Sequence, residues 1–182
     1  MLHTLPTPVV IYIYAVTALI GLVLGSGLNC LSMRIAREEK WAGNEHSRCP
    51  ACGHTLGALD LIPLISWLAL GGKCRYCKAP VSKRYPITEA VMALILISIL
   101  WKFDLSIHAA SVTVLCLCLF CLSLVDLETQ IIPDRFLVIP AIVRAAELVY
   151  DGGLMGLLGG IWPGLLIGGG VLVLSQIGRA HV

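Results

Sequence analysis

The sequence predicts an all-α, polytopic transmembrane helix bundle with a cytoplasmic, zinc-ribbon-like loop, and three observations carry that expectation. Hydrophobic residues make up 58% of the 182-residue chain and charged residues 13%, with a mean hydropathy of +0.89. Soluble domains are about half apolar and about a quarter charged, so this much apolar surface cannot be hidden in one water-soluble core. Apolar runs recur at lengths near the roughly 20 residues that a helical span needs. Between the first two runs lies a long polar interval that holds two Cys-x-x-Cys pairs.

The expected spans, in order, are Pro8–Met33, Tyr85–Trp101, Ser106–Val125, Phe136–Tyr150 and Leu154–Ser175. The first has no basic run before it and no small-residue cleavage site after it, so it reads as a retained span and not as a signal peptide. The fourth is short and contains Arg144 and Glu147. Nine of the 13 basic residues lie between Arg34 and Arg84. By the positive-inside tendency this loop is cytoplasmic and the N-terminus outside. The same placement accounts for the net charge of +2, and no nucleic-acid partner is expected. The chain therefore divides into a first span (1–33), a cytoplasmic loop (34–84), a further membrane core (85–176) and a tail (177–182).

The loop reads Cys49-Pro-Ala-Cys52-Gly-His and, 21 residues on, Cys74-Arg-Tyr-Cys77. Each Cys-x-x-Cys turn presents two sulfurs to one metal, and two such turns complete a tetrahedral S4 zinc site. Four thiolates leave no open position, so Zn2+ bound by Cys49, Cys52, Cys74 and Cys77 is expected to be structural. A cytoplasmic setting keeps thiols reduced, which favours metal binding over disulfides. Gly53 suits the tight turn after the first pair, and His46 and His54 stand by as alternative ligands. The stretch Leu61–Leu70 is too short to span and contains Pro63. It is expected to pack on the membrane face or against the spans.

A second constellation, Asp126-Leu-Glu128-Thr-Gln-Ile-Ile-Pro133-Asp134, follows an apolar run directly. That puts Asp126 at the cytoplasmic end of a span. Ionisable residues at membrane depth are functional candidates, although an ordinary solvated loop is the better account of these acids when they are taken alone. Glu128 lies about 200° around a helix from Asp126 and points away from it.

Four motifs in one order resemble the type IV prepilin peptidases (leader peptidase/N-methyltransferases). Gly25-Ser-Gly-Leu-Asn-Cys30 with Arg34 is similar to that family's GSFLNV…R, with Gly27 and Cys30 as departures. The paired Cys-x-x-Cys turns enclose Ile62-Pro-Leu-Ile-Ser66, and Arg84-Tyr-Pro-Ile-Thr-Glu89 looks like RYPxxE. Asp126…Pro133-Asp134 looks like D-x6-PD, which carries the first catalytic aspartate. The resemblance implies a membrane aspartic endopeptidase that removes the leader of prepilins or pseudopilins of type IV pili and type II secretion. It also implies, in many members, methylation of the new N-terminus with S-adenosylmethionine. Asp126 would be one of two carboxylates that share a proton; the family's other aspartate lies in a GxGD motif.

The 182 residues contain no GxGD. On that count the chain is expected to be a C-terminally truncated member, inactive as a peptidase by itself. Ile177–Val182 is what a common sequencing adapter would encode, so it reads as a non-native tail; the same six codons in genomic DNA would refute this. Two rival readings follow: a non-catalytic zinc-ribbon scaffold or degenerate member, and a methyltransferase-only protein. Cys30, Cys116, Cys118 and Cys121 are expected to pack as small hydrophobes. Gly156, Gly160, Gly164 and Gly168, like Gly21 and Gly25, are expected to let helices approach closely. Glu89 has two readings, as the partner of Arg84 or another loop residue, and as part of the substrate or cofactor site.

Overall fold

A computed structural model describes residues 2–37, 47–129, 138–153, 155–156 and 158–160. The chain divides into two units, Met1–Phe136 and Leu137–Val182. The described residues are mostly helical and contain no strand. Among the described residues, three helices are long and apolar enough to cross a membrane: α1 (Thr7–Ala36), α3 (Arg84–Phe103) and α4 (Ile107–Thr129). A short helix, α2 (Ile65–Ala69), lies in the loop between α1 and α3.

α1 starts with Pro8 in its first turn, where the missing N–H is no loss. Its 30 residues extend about 45 Å, well beyond a hydrocarbon core of about 30 Å, and Arg34 lies in its last turn. Tyr12, Leu19 and Val23 are exposed, as a lipid-facing surface requires. The opposite face carries Gly21, Gly25, Asn29 and Ser32, all buried.

The glycines explain how α1 meets α3. A Cβ on Gly21 would lie 2.5 Å from the Ala93 Cα, and one on Gly25 would lie 2.8 Å from both the Glu89 Cα and the Thr88 carbonyl. Backbone meets backbone here, so only glycine fits, and the close approach supplies the dispersion contacts that hold helices together in lipid. Above this seam Met92, Leu96 and Ile99 of α3 are buried against Leu24 and Leu28 of α1 and Val112, Cys116 and Phe120 of α4. Cys121 is also buried, so Cys116 and Cys121 pack as expected. Thr17, Ser98, Thr113 and Ser123 donate their hydroxyls to the carbonyls four residues back, which satisfies these four hydroxyl protons within the helices.

The α3–α4 turn is short. Asp104 takes a positive φ of 53°, donates its N–H to the Leu100 carbonyl at 3.0 Å, and Ser106 Oγ accepts from the Ala109 N–H at 3.1 Å. α3 and α4 are therefore antiparallel, and the ends of α1, α3 and α4 at Met33, Arg84 and Val125 come together.

In the second unit a helix, α5, covers 138–153, corresponding to the expected fourth span. Two of its three charged residues pair with each other, Arg144 Nη1 to Glu147 Oε2 at 2.7 Å. Gly153, at φ +58°, marks a change of direction, after which Gly156 lies against the Leu148 carbonyl. Most of the fifth expected span, with Gly164 and Gly168, lies outside the described residues, as do Asp134, His46 and the 177–182 tail.

Candidate metal centre and the aspartate end of the bundle

The loop is built from two copies of one turn. In the first, the Gly53 N–H donates to the Cys49 carbonyl at 2.8 Å, and the Cys49 N–H to the His54 carbonyl at 2.9 Å. In the second, the Lys78 N–H donates to the Cys74 carbonyl at 3.1 Å, and the Cys74 N–H to the Ala79 carbonyl at 2.8 Å. Each copy closes on an isolated antiparallel bridge, Arg48 with Thr55 and Lys73 with Pro80. Gly53 and Lys78 occupy the same position and both take positive φ, 70° and 60°.

The two turns bring four sulfurs together. One Sγ from each of Cys49, Cys52, Cys74 and Cys77 lies within 4.8 Å of all the others, and Cys49 and Cys77 are 3.9 Å apart. A tetrahedral zinc with about 2.3 Å bonds would separate its sulfurs by about 3.8 Å, so the donor set fits one metal ion. In each pair the first cysteine is buried and the second exposed. The backbone N–H groups of Cys52 and then Ala51 point at Cys49 and lower its pKa to about 7. The Ala79 amide acts the same way on Cys77, but desolvation and the sulfurs of Cys52, Cys74 and Cys49 outweigh it and raise that thiol to about 11. One thiolate thus forms readily near neutrality, and the rest of the negative charge calls for a cation at the centre.

The residues between the cysteines wire the loop together. The Tyr76 ring stacks on His54 at 3.6 Å between centroids. Asp60 accepts from the Gly57 N–H at 3.1 Å, from Arg75 Nε at 2.6 Å and from the Tyr76 hydroxyl at 3.3 Å. The Arg75 hydrogen bond in particular holds the Asp60 carboxyl below the usual range. Trp67 donates its indole N–H to the Val81 carbonyl at 3.2 Å and covers Gly72, where a Cβ would strike the ring.

Glu89 meets the first of its two readings, with a loop residue other than Arg84 as its partner. Its Oε2 accepts from the Leu64 N–H at 2.6 Å, and it lines a cavity of about 860 Å3 together with Arg34, Asp60, Trp67 and Tyr85. Leu64 has φ 61° and ψ −48°, and the Ile65 N–H reaches back to the Pro63 carbonyl at 2.6 Å. This is a γ-turn of the positive-φ kind, rare and strained, and the buried carboxylate of α3 holds it. Ile62–Ser66 and Arg84–Glu89, separate motifs in the chain, are thus one contact.

Arg84 is not the partner of Glu89. It forms an ion pair with Glu128 and donates Nη2 to the Leu124 carbonyl at 3.2 Å. Glu128 is thereby engaged away from Asp126, in line with its helical phase. Asp126 itself is exposed in the last turn of α4. Through Arg84, the exit of the cysteine loop and the Asp126 end of α4 are tied to the same end of the bundle. Asp60, Arg75 and Tyr76 carry no pattern signal for their contact, because the partners are distant in the chain. Asn29 is fully buried, and neither its amide nitrogen nor its amide oxygen has a hydrogen-bond partner.

Residues 19–103 match a family model described as the bacterial peptidase A24 N-terminal domain. A prepilin leader peptidase/N-methyltransferase of Stutzerimonas stutzeri is 46% identical over 95 residues, 52% of this chain and 32% of its own length. The protein of the same description from Pseudomonas aeruginosa is 36% identical over 146 residues, 68% of this chain and 50% of its own. That from Pseudomonas putida is 32% identical over 162 residues, 78% of this chain and 56% of its own. The chain spans about half the length, or less, of these curated relatives. No solved structure matches it. With the paired cysteine turns, the membrane helices and these relatives together, the chain belongs to the prepilin leader peptidase/N-methyltransferase family.

Proposed function

We propose that this chain acts within an inner-membrane aspartic endopeptidase that cleaves the leader from prepilins or pseudopilins at the cytoplasmic face. The observation that carries this reading is the Arg84 bridge, which sets the end of the basic, cysteine-bearing loop beside the α4 terminus that displays Asp126. The loop is taken as cytoplasmic from its basic residues, with the N-terminus outside, so the leader and Asp126 share a side. Asp126, exposed at a helix end, is free to meet a substrate backbone. In the reaction one ionised carboxylate takes a proton from water while a second, protonated one polarises the scissile carbonyl. Asp126 supplies one of these, and the other, from a GxGD motif, is absent from the 182 residues.

The four sulfurs would hold zinc as a structural ion, since S4 ligation leaves no position for substrate. Its work is to keep the two turns, and through Asp60 and Leu64 the loop, in register with α3. S-adenosylmethionine would supply the methyl group for the new N-terminal amine. The cavity beside Glu89 is large enough for a molecule of that size, with Arg34 and Glu89 offering charge of both signs.

The protein made from the whole gene, reconstituted with a prepilin, tests this. Leader release that vanishes with Asp126→Asn supports the reading; undiminished release assigns the carboxylate elsewhere. The 182-residue chain alone is expected to release none, and release by it would refute the requirement for a second aspartate. If the whole-gene product also lacks a second aspartate and cleaves nothing, the scaffold reading takes its place. S-adenosylmethionine binding that survives Asp126→Ala in a protein without peptidase activity would favour the methyltransferase reading.

A further inference from the structure

Between the two cysteine turns the chain exposes apolar side chains to an unusual degree: Leu59 is 69% exposed, Ile65 60% and Leu68 62%, with Leu61 beside them. These residues are close together in ten positions of sequence, and nothing among the described residues covers them. One bond ties this segment directly to α3. Leu64 is held by Glu89, which lies five residues, about 8 Å, inside the start of α3. At that level α3 presents Ile87 outward, 58% exposed, as a lipid-facing residue would be. The loop's apolar face is thus pinned level with the hydrocarbon boundary of a membrane helix. Its surroundings in the chain are basic. Residues 57–84 hold Lys73, Arg75, Lys78, Lys83 and Arg84 against one acid, Asp60, and Asp60 is already bound to Arg75. Lys73, Lys78 and Lys83 are exposed.

We propose that residues 59–68 form a membrane-interface foot. Leu59, Ile65 and Leu68 enter the boundary between headgroups and acyl chains of an anionic bilayer, while Lys73 and Lys83 meet lipid phosphates. An apolar face beside basic residues is the composition that binds such a boundary. The inference requires only that α1 and α3 cross a membrane, and it does not depend on the peptidase reading. Its consequence is that the loop is held to the bilayer as well as to α3, so the cavity beside Glu89 opens at the membrane surface and not in bulk cytoplasm.

Trp67 is a reporter built into the segment. The whole chain, with Trp41, Trp101 and Trp162 changed to Phe, is placed in nanodiscs whose lipids carry bromine at graded depths. Shallow bromines are expected to quench Trp67 more than deep ones, and more strongly as the anionic lipid fraction rises. Leu59→Ser, Ile65→Ser and Leu68→Ser together should abolish the quenching while one zinc per chain is retained, which separates lost contact from lost folding. Absence of quenching at every depth in the protein with native loop residues would overturn the proposal and point to a protein cover, such as a second copy or another segment of the protein. Quenching that is indifferent to anionic lipid, or to Lys73→Gln with Lys83→Gln, would overturn the phosphate contact.

Discussion

The helical bundle and the cysteine loop are parts of one unit, and they are held together by opposite means. α1, α3 and α4 are long, nearly all apolar, and joined where side chains are missing: Gly21 and Gly25 let backbones touch. The loop from Ser47 to Ser82 has one five-residue helix, two isolated bridges and buried sulfurs where a core would be. Lipid and backbone hydrogen bonds suffice for the first. The second has little apolar surface turned inward to offset the entropy of ordering its residues, and its four clustered sulfurs could hold a metal ion that would make up the difference. The joint between them is polar and specific, Glu89 with Leu64 and Arg84 with Glu128.

The largest effect should therefore come from removing the metal. Apparent binding energies of structural zinc sites are about 10–16 kcal/mol, more than this loop can replace. Chelation, or Cys49→Ser with Cys74→Ser, is expected to release hydrogen-exchange protection across the loop while the protection of α3 and α4 persists. If the loop stays protected without metal, its turns are self-sufficient and the contrast fails.

The bundle should respond to the opposite treatment. Gly25→Ala forces a methyl group onto the Glu89 and Thr88 backbone, and overpacking of this kind costs about 1–3 kcal/mol. Thermal unfolding in detergent should show the loss with zinc content unchanged. Gly27, two residues on, has nothing within 4 Å of a would-be Cβ. Gly27→Ala should be neutral or stabilising by up to ~1 kcal/mol. Equal loss at both positions would mean that helix propensity, and not the seam, governs α1.

Asn29 sharpens the comparison because it is a polar residue placed by the bundle's own rule and left unsatisfied. Two orphaned amide atoms in a buried site carry a desolvation cost of about 1–3 kcal/mol. Asn29→Leu is expected to raise the unfolding temperature. A fall instead would show that the amide is satisfied when the protein sits in its membrane.

What could be read from the sequence divides along the same line. Spans and sulfur ligands are signalled locally, by run length and by spacing, and α1, α3, α4 and the Cys49, Cys52, Cys74 and Cys77 cluster stand where those signals put them, to within a turn at the helix ends. Asp126 likewise stands at the end of its span. What pattern could not show depends on partners far along the chain: the γ-turn at Leu64 is held by a carboxylate 25 residues away, and the Asp60–Arg75 contact crosses 15. Such bonds have no periodicity. Motif resemblance marked Glu89 and Ser66 as notable but gave no geometry, and the contact that joins their motifs emerged only from the fold.

The smallest effect expected is also the most local. Gly53 and Lys78 close equivalent turns with φ of 70° and 60°, yet only one is a glycine. A left-handed backbone costs a residue with a Cβ about 1–2 kcal/mol, and glycine escapes that cost. Lys78→Gly should therefore tighten zinc binding by roughly fivefold, and Gly53→Lys should weaken it by a similar factor, both measured by competition with a chelator. If Lys78→Gly leaves the affinity unchanged or lowers it, the lysine contributes through its charge near the four thiolates, and the two turns are alike in backbone but not in electrostatics.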